Sequence, residues 1–436
     1  MLPFFISSVH AFCGTYISSS DTELISRTSQ VAMVRQQNRT TLTLSNDYEG
    51  ELQEFAMVIP VPTVLTEEDV SVVEDSFITR MAQYSQPRLV EYKCEDFYEP
   101  YYDYSPSRGG CNATEEYALH DSVEFQEESA ETSADVVTIE SSFAVGEYVF
   151  QVVSSEDGGG LFNWLNDNGY VLGATAEDIL QDYIEAGNYF LIARINLREV
   201  PEGQNFLSPI QFSYESDIFS LPIRLGTVNS PGEQDLIVYT ITDMNDGQIS
   251  IQNYDEIDVM KDCMAEFDDF NSYYGDLIET AMNDNDGNWI REHSWAPYHC
   301  DPCTEGEALN DEDIQQLGYQ GSATEAYFNR IRMRYTPEEA TEDIVFYPSG
   351  IMENTQMRFI MYKEELESRY LICNDDSQII GGEDTCQDIF DAMEGNVTEE
   401  EEAGCSTTSS KSIEKYSNKW SWMLLTLIGF FWYRRR

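Results

Sequence analysis

The chain has 436 residues, room for about two or three domains and a sizeable core. Its 24 Lys and Arg stand against 80 Asp and Glu, a net charge of −56, which excludes a nucleic-acid binder that must neutralise phosphates with its own cations. Hydrophobic content of 42% with 13% aromatic residues excludes a disordered chain despite that charge.

Acids occur in nearly every segment, as on a solvated surface that resists aggregation. Composition calls for no cofactor; Ca2+ is the ion such carboxylates could hold.

Residues 2–11 read as the end of a secretory signal, an apolar run closed by Val9, His10 and Ala11. The basic segment that precedes such a run is missing, so the true start is expected upstream. Cys13 follows, but Phe12 is too bulky for a lipoprotein site. Strands are predicted over 30–35 and 40–45, joined by a polar turn. Residues 54–62 form a near-continuous apolar run ended by prolines, a buried strand. Val73, Phe77, Met81 and Tyr84 recur at helical spacing before Pro87. Cys94 and Cys111 bracket an acidic, Tyr-rich stretch with Tyr98, Tyr101, Tyr102 and Tyr104, a local disulfide and a candidate contact surface.

Gly158, Gly159 and Gly160 follow a strand, but no phosphate-binding Lys follows them, so a phosphate loop is not expected. Thr175 and Asp178 open a helix with an apolar face of Ala176, Ile179, Leu180, Tyr183 and Ile184, stopped by Gly187. A strand follows over 189–195. Residues 235–242 and 248–252 flank Asp246 and Gly247, a hairpin signal. A strand, a polar turn and a second apolar strand recur at 41–60, 209–225 and 330–348, read as three hairpins or a diverged repeat.

Residues 283–288 look like part of a calcium loop, but aligning Gly287 with the EF-hand glycine puts Met282 and His293 at ligand positions, where neither belongs. The window 293–303 gathers His293, His299, Cys300 and Cys303. It has three readings: a redox pair at Cys300 and Cys303, a zinc site with His293 or His299, or a loop pinned by disulfides, with Cys13 or Cys263 as partners. The last is favoured, because 283–290 is polar where a redox fold needs a buried strand and no second CxxC completes a zinc site. No nucleophile elbow is present to recruit His120, His293 or His299.

Cys373 and Cys386 bracket Asn374 to Asp376 and Gly381 to Asp384, a second local pairing. Closing loops of this size contributes roughly 3 kcal/mol in the chain-entropy model. Residues 371–419 form an acidic Cys loop and a Ser/Thr-rich linker carrying Cys405, the natural unpaired member of nine cysteines. Residues 420–433 are free of charge and precede Arg434, Arg435 and Arg436. At ~1.5 Å per residue they reach about 21 Å, short of the roughly 30 Å hydrocarbon core, with Trp420, Trp422, Trp432 and Tyr433 at the ends as interfacial anchors. The basic end should stay cytoplasmic, placing the body outside.

The fold class expected is α+β: largely antiparallel sheets with scattered helices, disulfide-bonded, plus a C-terminal transmembrane helix. Its regions are a signal over 1–11, an exported body over 12–370 with a division into subdomains near 255 left open, the linker over 371–419 and the membrane segment over 420–436.

Two resemblances add to this. Gly404 and Cys405, the spacer, the short apolar helix and the Arg cluster resemble bacterial sorting tails of the MYXO-CTERM kind. That resemblance implies that Cys405 is processed. The stretches 12–16, 55–62, 87–92, 161–170, 219–229, 235–239, 300–303 and 334–337 together resemble the bacterial family called domain of unknown function 2330, over roughly 12–365. This implies an exported bacterial protein and transfers no catalytic residue. The function expected is a non-catalytic binding or structural role in the envelope, with the membrane and an envelope protein as partners. The alternative is a thiol-disulfide oxidoreductase using Cys300 and Cys303.

Overall fold

A computed structural model of the chain describes residues 15–18, 29–45, 55–90, 136–196, 200, 207–261, 263–266, 269–284, 287–300, 308–363 and 370–373, without 171, 174, 229 and 231. All lie within one compact unit, 1–383.

Two sheets make the body. The larger runs β18 (Thr355–Gln356), β15 (Trp289–Trp295), β16 (Ala326–Tyr335), β12 (Gln234–Asp243), β2 (Ser29–Gln36), β3 (Arg39–Ser45), β10 (Ile210–Glu215) and β5 (Val70–Val72). Its neighbours are antiparallel except β12 and β2. The smaller is wholly antiparallel: β1 (Thr15–Ser18), β4 (Phe55–Val61), β9 (Tyr189–Ile195), β8 (Tyr148–Ser155) and β7 (Val137–Val145).

The two sheets face each other across the main core. Met33, Leu42, Phe212, Val238 and Met333 from the larger meet Met57, Ile59, Phe150, Val152 and Leu191 from the smaller. The apolar run of β4 is continuous because both its faces are covered: Met57, Ile59 and Val61 point into this core, Ala56 and Val58 away from it. On that outer side lie α2 (Gly158–Asp167) and α3 (Ala176–Glu185), which contribute Leu161, Leu165, Leu180 and Tyr183. The Gly158 to Gly160 run opens α2, with Asp157 Oδ1 accepting from Gly160 N (2.7 Å). A Cβ on Gly158 would come within 2.6 Å of Glu177 O, so small residues here let α2 approach α3.

On the outer face of the larger sheet, α1 (Asp75–Ser85) lays Ile78, Met81 and Tyr84 over Val34, Ile241 and Phe328. Beside it α4 (Phe270–Asp284) packs Tyr274, Leu277 and Ile278 on Ile290 and Phe359. Phe359 belongs to a parallel sheet of β14 (Cys263–Ala265), β19 (Arg358–Met361) and β6 (Arg88–Val90). A last antiparallel sheet, β11 (Ser220–Leu221), β17 (Ile344–Pro348) and β13 (Ile249–Ile251), adds Leu221, Ile344, Phe346, Ile249 and Ile251 to the main core. The result is sheet-rich α+β with few helices.

Three expectations are corrected. The hairpin over 235–252 does not form: β12 has both edges occupied by β2 and β16, and β13 pairs β17 instead. None of the three recurrent strand-turn-strand units closes on itself. In each, the first strand (β3, β10, β16) joins the larger sheet and the second (β4, β11, β17) joins another. Cys373 does not pair locally with Cys386 but with Cys263. Residues 371–373 run beside β14, with Met264 N donating to Leu371 O (2.7 Å) and Cys373 N to Met264 O (2.8 Å). The two Cα atoms are thereby 5.1 Å apart, within disulfide reach.

Cys300 is also disulfide-bonded. Cys13, Cys94, Cys111, Cys303, Cys386 and Cys405, the signal, the Tyr-rich stretch and the 420–436 segment lie outside the described residues. Among the described residues no helix is long and apolar enough to cross a membrane.

The Cys263–Cys373 bond spans 110 residues of sequence. Replacing both by Ser should lower unfolding stability by about 3–5 kcal/mol, read as a fall in the urea midpoint with a slope equal or steeper, since the unlinked denatured chain exposes more surface.

Candidate functional site

Strand β15 carries Arg291, Glu292, His293 and Ser294 in succession, and all four are buried. A β-bulge makes this possible. Arg291 faces Ile331 and His293 faces Arg330, so Glu292 is the extra residue between them. Its carbonyl accepts from Met357 N (2.9 Å). On β16 the alternation sends Ile331, Met333 and Tyr335 into the main core and Arg330, Arg332 and Arg334 to the opposite face.

The Glu292 carboxylate, fully buried, sits among those arginines. Arg330 Nε donates to Glu292 Oε2, Tyr274 OH donates to Oε1, and Arg332 Nη1 lies 3.8 Å from Oε1. Arg332 also grips Asp235 of β12 with two donors, Nε to Oδ1 at 2.9 Å and Nη2 to Oδ2. Such a fork-to-carboxylate pair is among the stronger ionic contacts. Arg334 Nε lies 3.8 Å from Asp235 Oδ1. Aromatic faces complete the shell, with Arg330 over Tyr239 (5.6 Å) and Arg332 over Tyr274 (5.8 Å). Burial, then the charge of Glu292, hold the Tyr274 phenol well above its ordinary value, so it remains a donor.

His293 adjoins this network without joining it. Its ring contacts Tyr84 (centroids 4.9 Å apart) and Phe328 (5.8 Å) edge-on. Among the described residues neither ring nitrogen has a hydrogen-bond partner. Burial first, then the charges of Arg88 and Arg330, push its pKa down to about 3, so the imidazole is neutral.

The 293–303 window is therefore split. His293 is interior, while His299 is exposed, its ring tilted against that of Tyr298 with centroids 4.1 Å apart. Tyr84 OH, on α1, donates to Ala296 O (3.1 Å) and His299 O (2.8 Å), pinning the connection after β15. Cys300 packs beside the cluster that holds α1. The polarity over 283–290 hides a strand: Trp289 and Ile290 begin β15, which is buried despite its charges. Among the described residues no group of three or more His, Cys, Asp or Glu is placed to hold a metal ion. Among the described residues, a surface hollow of about 500 Å³ beside Tyr298, Leu309, Asn310, Asp311 and Thr324 is lined by one carboxylate and by no His or Cys.

Reading from the residues alone missed Glu292, Arg330, Arg332, Asp235 and Tyr274. The signal was present in Arg330, Arg332 and Arg334 at period two within a strand whose other members, Asn329 aside, are apolar or aromatic. In a chain so short of cations, that spacing marks a face built to receive carboxylates. The members of the network engage one another beneath α1 and α4, which lets them position the sheet against its outer layer.

Replacing Glu292 by Ala leaves Arg330 and Arg332 buried without it and should cost about 3–5 kcal/mol in chemical denaturation; Ala at exposed Glu353 should cost under about 0.5 kcal/mol. His293 titrates near 6.5 when unfolded and about 3 when folded. Between those values the unfolded chain binds more protons, so stability falls as pH drops below 6.5 and levels off below about 3. The His293→Phe variant should lose less stability between pH ~7.5 and pH ~4 than the parent, by up to several kcal/mol.

Neither curated proteins nor solved structures include a match to this chain. A family model described as an uncharacterized protein conserved in bacteria matches residues 7–347. The expected family resemblance is thus met over most of the chain, which belongs to the bacterial family DUF2330.

Proposed function

We propose that this chain is an exported envelope protein, held at the membrane or sorted to the surface through its C-terminal segment. Its folded body binds or braces another envelope component and performs no catalysis. The observation that carries this reading is the Cys263–Cys373 disulfide, joined by a second bonded position at Cys300. Such bonds persist where thiols are kept oxidised, outside the cytosol. The charge-free 420–433 segment with its Arg cluster, and the sorting-tail resemblance at Cys405, fit the same topology.

The reading of a non-catalytic role is supported by how the buried polar groups are used. Glu292, Asp235, Arg330, Arg332 and Tyr274 engage one another beneath helices. Among the described residues nothing supports the oxidoreductase alternative: Cys300 sits at the edge of a packed helix-sheet cluster, next to a histidine whose ring lies against Tyr298.

Cell fractionation with thiol counting tests the proposal. The expected result is membrane-associated protein, cleaved by protease added from outside, with Cys263, Cys300 and Cys373 resistant to alkylation until reduced. Recovery from the cytosol with those thiols free overturns it.

A further inference from the structure

The small sheet β11–β17–β13 has two unlike faces. One carries Leu221, Ile344, Phe346, Ile249 and Ile251 into the main core. By alternation the other carries Ser220, Val345, Tyr347 and Ser250 outward. The register of Ser220 on Val345, continued through Phe346 N donating to Phe219 O (2.8 Å), sets Ile218 opposite Tyr347. Past β17 the chain folds back, with Ser349 N donating to Gln248 O (2.9 Å) and Gln248 N to Ile351 O (2.7 Å). This brings Ile351 and Met352 to the same end of the sheet.

The side chains collected there are the most exposed large apolar residues of the described body apart from Ile139: Ile218 59%, Met352 50%, Ile351 49% and Tyr347 44%. Large exposed apolar residues gathered at one end of a sheet are the kind of surface at which proteins make contacts. Its rim is acidic. Asp217 precedes Ile218, Glu353 follows Met352, and Asp246 closes the turn against which Ile351 lies, beside Asp243, whose carboxylate accepts from Gln36 and Tyr319. Asp246 is held above its ordinary pKa by burial and then by Asp243, the mark of two acids crowded together. The nearby cations are already engaged. Arg35 donates to Ser216 O (2.8 Å), and Arg291 donates to Ile249 O (2.6 Å) and pairs with Glu256 (3.2 Å).

We propose that this outward face is a docking surface for a basic, amphipathic segment of a partner protein. The apolar centre supplies affinity, and the acidic rim supplies steering and selects for cations. A second copy of this chain is a poor occupant, because each carries a net charge of −56. An anionic lipid surface meets the same repulsion. The proposal rests on the binding role inferred above and gives that role a partner chemistry.

The test uses the full chain in detergent and three synthetic peptides of equal length: alternating Lys and Val, alternating Lys and Ser, and alternating Glu and Val. At near-physiological salt the Lys/Val peptide should bind at least about tenfold tighter than the Lys/Ser peptide, and the Glu/Val peptide should not bind. Tyr347→Ser combined with Ile351→Ser should erase that tenfold difference while leaving the Lys/Ser affinity unchanged. Ile218→Ser combined with Met352→Ser provides an independent pair at exposed positions. Equal affinity for the two cationic peptides, indifference to both double variants, or dimerisation or vesicle adsorption abolished by them would overturn the docking surface. Those outcomes leave the export reading standing, and a cytosolic location would leave the peptide result standing.

Discussion

The encounter of one buried carboxylate with two buried arginines holds the centre of the larger sheet to its outer layers. Glu292 comes from β15, Arg330 and Arg332 from β16, Asp235 from β12 and Tyr274 from α4. Five charged or polar side chains from four elements thus converge where apolar packing would otherwise run unbroken. Each charge is costly to bury alone, so any arrangement that separates them is penalised. Apolar contacts between sheet and helix tolerate sliding, whereas the Arg332 fork on Asp235 and the Tyr274 hydroxyl on Glu292 fit one register. The network therefore selects a single seating for α4 and for the β12–β16–β15 order.

The bulge at Glu292 is the local device that makes this convergence geometrically available. In regular pleating Glu292 and His293 would face opposite sides. The extra residue turns the carboxylate toward the arginine face while the ring beside it remains packed against Tyr84 and Phe328. The neutral state of His293 belongs to the same arrangement: with Arg88 and Arg330 close by, a third positive charge has no place there.

Much of the fold's local structure was legible in the sequence, and little of its pairing. Strands β2, β3 and β9 and helices α1 and α3 follow from their apolar spacing, because each buries a face against a partner, and β4 follows from its continuous apolar run, because both its faces are covered. Strand β15 was not legible, since Arg291 to Ser294 read as solvent-facing until partners far along the chain make them buried. Hairpins were expected wherever two strands flank a turn. The two strands read over 30–45 do pair, as β2 and β3, but the unit over 235–252 fails because β12 is central and takes its neighbours β2 and β16 from far on either side in the sequence. Of the expected window at 293–303, the structure separates the two histidines and leaves only the bonded state of Cys300 in view.

The parallel pairing of β12 with β2 has a consequence for how such a chain reaches its native state. Ser29 finds its neighbour at Leu236, and β12 in turn needs β16, which ends at Tyr335. The second edge of β2 thus stays open until β12 is made, past the middle of the polypeptide, and the second edge of β12 until β16 follows, a high-contact-order topology that closes slowly. A chain made or moved from its amino end spends that interval open, with apolar segments uncovered. Abundant carboxylates repel one copy from another during that interval, so the same charge that keeps the finished surface solvated guards the unfinished one against coalescence.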